Sequence, residues 1–116
     1  MNIEAFREYC ISKKGVTEEF PFDKNTLVFK VMGKMFALTD VEAFTAINLK
    51  VEPEEGAELR DKHAFIQEAY HMNKKHWITV VIDGNAPDRM IERLIDRSYA
   101  LVVAGLTKSK KSILGI

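Results

Sequence analysis

A single cysteine, Cys10, leaves this 116-residue chain unable to close an internal disulfide, so a hydrophobic core must hold it and a reducing compartment suits it. Long apolar runs are also missing: none approaches the roughly 20 residues of a membrane span. The start, MNIEAFREYC, has neither the basic opening nor the apolar stretch of a secretory signal, which makes a cytoplasmic protein the expectation. With 6 glycines and 3 prolines there is no linker, repeat or low-complexity tract. Net charge is absent as well, 17 basic residues balancing 17 acidic ones, which removes the global electrostatic footprint of a strong nucleic-acid binder. No HExxH, CxxC, GxSxG, P-loop or GxGxxG occurs, so no cofactor or catalytic apparatus is expected, and the protein is read as a non-enzyme.

What is present is a 47% hydrophobic chain of the right size for one compact domain spanning residues 1–116. The charge balance conceals an asymmetry. Residues 1–70 carry 9 basic and 13 acidic groups, and residues 71–116 carry 8 and 4. An anionic partner would therefore meet the C-terminal portion.

Asn2 can cap a first helix from about Ile3 to Lys13, with Ile3, Phe6 and Cys10 as its buried stripe and Gly15 beyond its end. Phe20 and Phe22, in the Pro-centred connection EEFPFD, are expected to tuck under the domain. LVFKVM and MFALTD read as strands joined by a tight turn at Gly33-Lys34. AINLKVE alternates, placing Ile47, Leu49 and Val51 on one face and Asn48 and Lys50 on the other. Pro53 opens a short helix weakened by Gly56. FIQEAY adds a further short strand, and WITVVID, rich in β-branched residues, is the most strand-like run. Pro87 begins the longest helix, ending near Ala104 or Gly105. Ile91, Leu94, Ile95, Ser98, Leu101 and Val102 form its packing face, and Arg89, Arg93 and Arg97 its outer side. The order α-β-β-β-α-β-α, with room for one extra strand, predicts an α+β fold: an antiparallel β-sheet with helices packed on one face.

The stretch YHMNKKHW, residues 70–77, gathers two histidines, two lysines, an asparagine and the sole tryptophan. Together with the following strand, DG, PD and LIDRSYALVVAGL, it resembles the signature of the MmcQ/YjbR-like family, and the likeness runs through essentially the whole chain. That resemblance implies a CyaY-like, or frataxin-like, fold with a "double wing" arrangement and a role in binding DNA. Ile78 departs from the family pattern, where asparagine often follows the tryptophan. The acidic first-helix ridge by which frataxins bind iron is not carried over. Only Glu4 and Glu8 stand on this helix, among Arg7, Lys13 and Lys14.

His63, His71 and His76, with Cys10, are all the soft ligands available, and their spacing fits no zinc pattern; no metal site is expected. Two readings remain for YHMNKKHW. In one it shapes the lead-in to a strand, with Asn73 holding a turn and Trp77 anchoring the core between sheet and helix. In the other, Asn73, Lys74, Lys75 and His76 join Lys108, Lys110 and Lys111 of the tail in weak, non-specific DNA binding, lysines meeting phosphate. The alternative to DNA is a protein-interaction module using the outer sheet face, where Val28, Met32, Asn48 and Lys50 are expected. A monomer or weak dimer is expected in either case.

Overall fold

A computed structural model describes residues 1–70 and 72–116. Its elements follow in the order α1 (Ile3–Ile11), β1 (Val16–Glu19), β2 (Thr26–Val31), β3 (Lys34–Asp40), β4 (Ala46–Lys50), α2 (Pro53–Lys62), β5 (Ile66–Glu68), β6 (Trp77–Val81), α3 (Asp88–Ala104) and α4 (Lys108–Leu114). The strands form one antiparallel sheet in the spatial order β1-β2-β3-β4-β6-β5. β6 thus slots between β4 and β5 and becomes an interior strand, which its β-branched sequence suits.

Alternation along the strands sorts the side chains. Leu27 and Phe29 of β2, Ile47 and Leu49 of β4, and Ile78 and Val80 of β6 all enter one core cluster. Helices cover this face. Phe6 of α1 meets Phe29 edge-on at 5.6 Å, and α3 contributes Ile91, Leu94, Ile95 and Val102. The expected packing stripe of α3 is therefore the observed one, except that Leu101 is only half-buried. α2 comes so close that a Cβ on Gly56 would lie 2.8 Å from Val51 Cγ2. Glycine here weakens the helix but permits the approach.

One irregularity controls the centre of the sheet. The β2–β3 register passes from Phe29↔Ala37 to Lys30↔Met35, leaving Phe36 as the extra residue of a bulge. Phe36 and Ala37 are both fully buried in the core, and Phe36 packs edge-on against Tyr99 of α3 at 5.4 Å. Beyond Ala37↔Leu49 the β3–β4 ladder stops. There the Ser98 hydroxyl of α3 accepts from Lys50 N at 2.8 Å and donates to the Phe36 carbonyl, replacing a direct strand–strand bond.

Several expectations are corrected. Phe20 and Phe22 are 50% and 64% exposed rather than tucked under, because the preceding residues VTEE form an added edge strand that carries the connection away from the core. The tail is a helix, α4, capped by the Thr107 hydroxyl, and Leu114 is buried beneath it. The first hairpin turns at Met32-Gly33, one residue early: Val31 pairs with Lys34, and both turn residues have positive φ, 50° and 81°. The first helix stops at Ile11, where Ser12 takes over as C-cap, short of Lys13. Trp77 is buried, at 9% exposure, but β6 alternation puts it on the helix-free face beside Lys50 and not between sheet and helix.

Candidate functional site

The lead-in to β6 is organised by Asn73. Its side-chain Oδ1 accepts from Lys75 N at 2.9 Å, and its carbonyl accepts from His76 N and Trp77 N at 3.2 and 3.0 Å. Asn73 therefore forms the turn that delivers Trp77 into the sheet. Lys74 lies 3.7 Å from Glu68 and 5.8 Å from the centre of the Tyr70 ring, so its charge is partly answered locally. Lys75 and His76 are exposed. His71 lies outside the described residues.

The tail lysines rest elsewhere. Lys110 Nζ reaches the Met32 carbonyl at 3.4 Å across the β2–β3 hairpin, Lys111 is half-buried, and Lys108 is exposed. The hairpin and the start of β6 lie at the same end of the sheet, but the lysine sets rest on different strands, with β4 between β3 and β6. The positive excess of residues 71–116 is further divided by α3, whose Arg97 is held by both oxygens of Glu55. Glu55 holds the Arg97 guanidinium above its ordinary pKa through these hydrogen bonds and its charge.

Half-buried titratable groups meet between α1 and α3. Tyr9 donates to Asp96 Oδ1 at 2.8 Å, Lys13 pairs with the same oxygen, and the Lys13 ammonium lies 5.0 and 5.4 Å from the Tyr9 and Tyr99 ring centres. Burial, then the Asp96 hydrogen bond, pushes the Tyr9 phenol up to about 12. Burial pushes the Cys10 thiol up to about 12, far from a thiolate nucleophile at neutral pH. Among the described residues, no group of three His, Cys, Asp or Glu side chains is placed to hold a metal ion.

A concave feature lies on the helix-free face, above β3 and β4. It is a groove of about 540 Å³. The β1–β2 connection brings Phe22 and Asp23 to it from one side of the sheet, and the β5–β6 connection brings Tyr70 and Met72 from the other. Leu38, Met35 and Asn48 belong to its floor. Phe22 and Tyr70 are 64% and 73% exposed, although aromatic rings of this size normally find cover. Asn48 Oδ1 accepts from the Thr79 hydroxyl at 2.6 Å, and the Asn48 NH2 has no partner among the described residues. Of the outer-face residues read from the sequence, Val28, Asn48 and Lys50 lie on this face, whereas Met32 sits in the hairpin turn against the core. Phe22, Asp23 and Met72 carried no periodic signal, since loop residues gain their neighbours only from the tertiary path, and Asp40 closes β3 as a polar strand end.

The groove's charge is of one sign. Among the described residues, Asp23 and Asp40 line it and no lysine or arginine does. The Thr26 and Asn25 amides, with the Thr26 hydroxyl, hold the Asp23 carboxyl below its ordinary pKa. Asp40 Oδ1 accepts from the amides of Glu42 and Ala43. Both carboxylates flank Thr26, which pairs directly with Asp40.

Known proteins are similar to this chain over most of its length. The chain is 36% identical over 115 residues to the uncharacterised protein YjbR of Escherichia coli K12, covering 98% of each chain. It is 32% identical to the uncharacterised protein YyaQ of Bacillus subtilis, over 84% of this chain and 95% of that one. A crystal structure of a Deinococcus radiodurans protein superposes with a TM-score of 0.90 at 43% identity, covering 99% of this chain and 88% of that one. A Pseudomonas syringae protein matches at a TM-score of 0.74 and 35% identity, over 87% and 98% of the two chains. The YjbR family model matches residues 11–101, from the end of α1 through most of α3, and the chain belongs to the YjbR family.

Proposed function

We propose that this YjbR-family protein is a non-catalytic protein-interaction module whose recognition surface is the helix-free sheet face. The observation that carries the reading is the groove over β3 and β4, walled by the exposed rings of Phe22 and Tyr70. Its lining mixes apolar and polar side chains, as protein-recognition surfaces do. Exposed aromatic side chains beside such a groove are the kind that become anchors when a partner removes their water. The "double wing", CyaY-like reading, a cytoplasmic setting and a monomer or weak dimer belong to the same proposal.

A photo-crosslinking residue at Met35, in the groove, tests it against one at Arg89, exposed on α3. The expected outcome in cells is a discrete adduct from Met35 alone, lost when Phe22 and Tyr70 are changed to serine. Equal labelling from both positions, or none from Met35, would remove the surface from consideration.

DNA is a second reading, favoured by the exposed Lys74, Lys75 and Tyr70 at the lead-in to β6. Lysine contacts to about three phosphates give a log–log salt slope of about −3, which Lys74→Ala with Lys75→Ala should make shallower by up to about 2. Fluorescence anisotropy with short duplexes at low salt measures this. Absence of binding at tens of micromolar protein would leave the protein-interaction reading alone.

A further inference from the structure

Resting on the groove as the recognition surface, we infer that its occupant is a protein segment presenting a lysine or arginine beside an apolar side chain. Charge complementarity carries the inference. Asp23 and Asp40 both line the groove, linked through Thr26, which pairs with Asp40 and donates to Asp23, and among the described residues no lysine or arginine lines it. The amide and hydroxyl hydrogen bonds at Asp23 keep that carboxylate charged into acid. An anionic segment would meet two fixed negative charges there, and a neutral one would leave them unanswered.

The rest of the lining matches the aliphatic part of such a segment. Met35, Leu38 and Met72 offer apolar contact, and methionine's flexible thioether fits partners of varied shape. Phe22 and Asp23 are neighbours in the chain and both line the groove, so an aromatic ring and a carboxylate are offered to the same segment. Tyr70 on the opposite wall already has the Lys74 ammonium 5.8 Å from its centre, an intramolecular instance of the same pairing. The unpartnered Asn48 NH2 can donate to a backbone carbonyl of the segment. A long basic side chain suits this arrangement because its stem covers apolar surface while its head reaches the rim.

Amide chemical-shift titration of the whole protein with blocked hexapeptides tests the proposal. One peptide alternates leucine with lysine and arginine, and a second carries glutamate at every basic position. The cationic peptide should shift the amides of Leu38, Asp40 and Asn48 saturably, and 0.5 M salt should weaken it. Asp23→Asn with Asp40→Asn keeps the side-chain oxygens that accept the turn amides while removing both charges. That variant should bind the cationic peptide about five- to tenfold more weakly. Equal or tighter groove binding by the glutamate peptide, or unchanged affinity of the double variant, would overturn the cationic partner while leaving the groove as recognition surface. Absence of any saturable shift in the groove with the cationic peptide at millimolar concentration would also overturn it, and crosslinking from Met35 reports separately on the surface itself.

Discussion

Ser98 is the residue whose removal most directly tests how the sheet is joined to its helices. One hydroxyl serves two backbone groups that the Phe36 bulge has taken out of the ladder, the Lys50 amide and the Phe36 carbonyl. Both would be stranded beneath α3 without it. Ser98→Ala should cost about 1–3 kcal/mol, the usual penalty for leaving buried polar groups unpaired. Urea denaturation gives the loss, and the Lys50 amide should exchange its hydrogen faster in the variant. Unchanged stability with a protected Lys50 amide would mean that β3 and β4 close directly on one another.

At the scale of elements, the C-terminal helix depends on a glycine almost a hundred residues away. Leu114 of α4 is buried against the chain just after α1, where a Cβ on Gly15 would lie 2.3 Å from Leu114 Cδ1. Gly15 also has φ of +72°. Gly33, at φ +81° in the β2–β3 turn, has the same backbone demand but nothing within 4 Å of a Cβ. The pair separates conformation from contact. Gly33→Ala should cost about 1–2 kcal/mol, the left-handed penalty alone. Gly15→Ala should cost about 2–4 kcal/mol, because the overlap adds to it, and hydrogen exchange in α4 should rise with it. Equal losses in the two variants would show that Leu114 moves aside freely.

For the whole molecule, α1 sets the alkaline limit through Cys10 and Tyr9. Cys10 titrates at about 12 instead of its ordinary 9.0, and Tyr9 at about 12 instead of 10.0, both chiefly because burial disfavours the charged form. The folded pKa values are raised. The corresponding stability is therefore fully present below about pH 9 and is lost as pH climbs through 9 to 12. Urea midpoints should be level from pH 7 to 9 and then decline. Cys10→Ala should lower the midpoint at pH 8 by leaving a small cavity, yet flatten part of the alkaline decline. A decline as steep as in the parent protein would assign the alkaline transition to groups other than Cys10.

Local pattern determined much of this protein. The Asn2 cap, the alternation of Ile47, Leu49 and Val51, and the buried stripe of α3 through Ser98 were legible because periodicity and capping act between near neighbours in the chain. The family likeness was legible in YHMNKKHW and LIDRSYALVVAGL, which are read from the chain directly. Only the tertiary structure decided that β6 inserts between β4 and β5, that Trp77 faces away from the helices, and that Ser98 bridges two strands. These depend on pairings between segments far apart in sequence. The groove belongs to that second class. Phe22 and Asp23 come from one connection, Tyr70 and Met72 from another, and their convergence over β3 and β4 exists only once the sheet has been ordered.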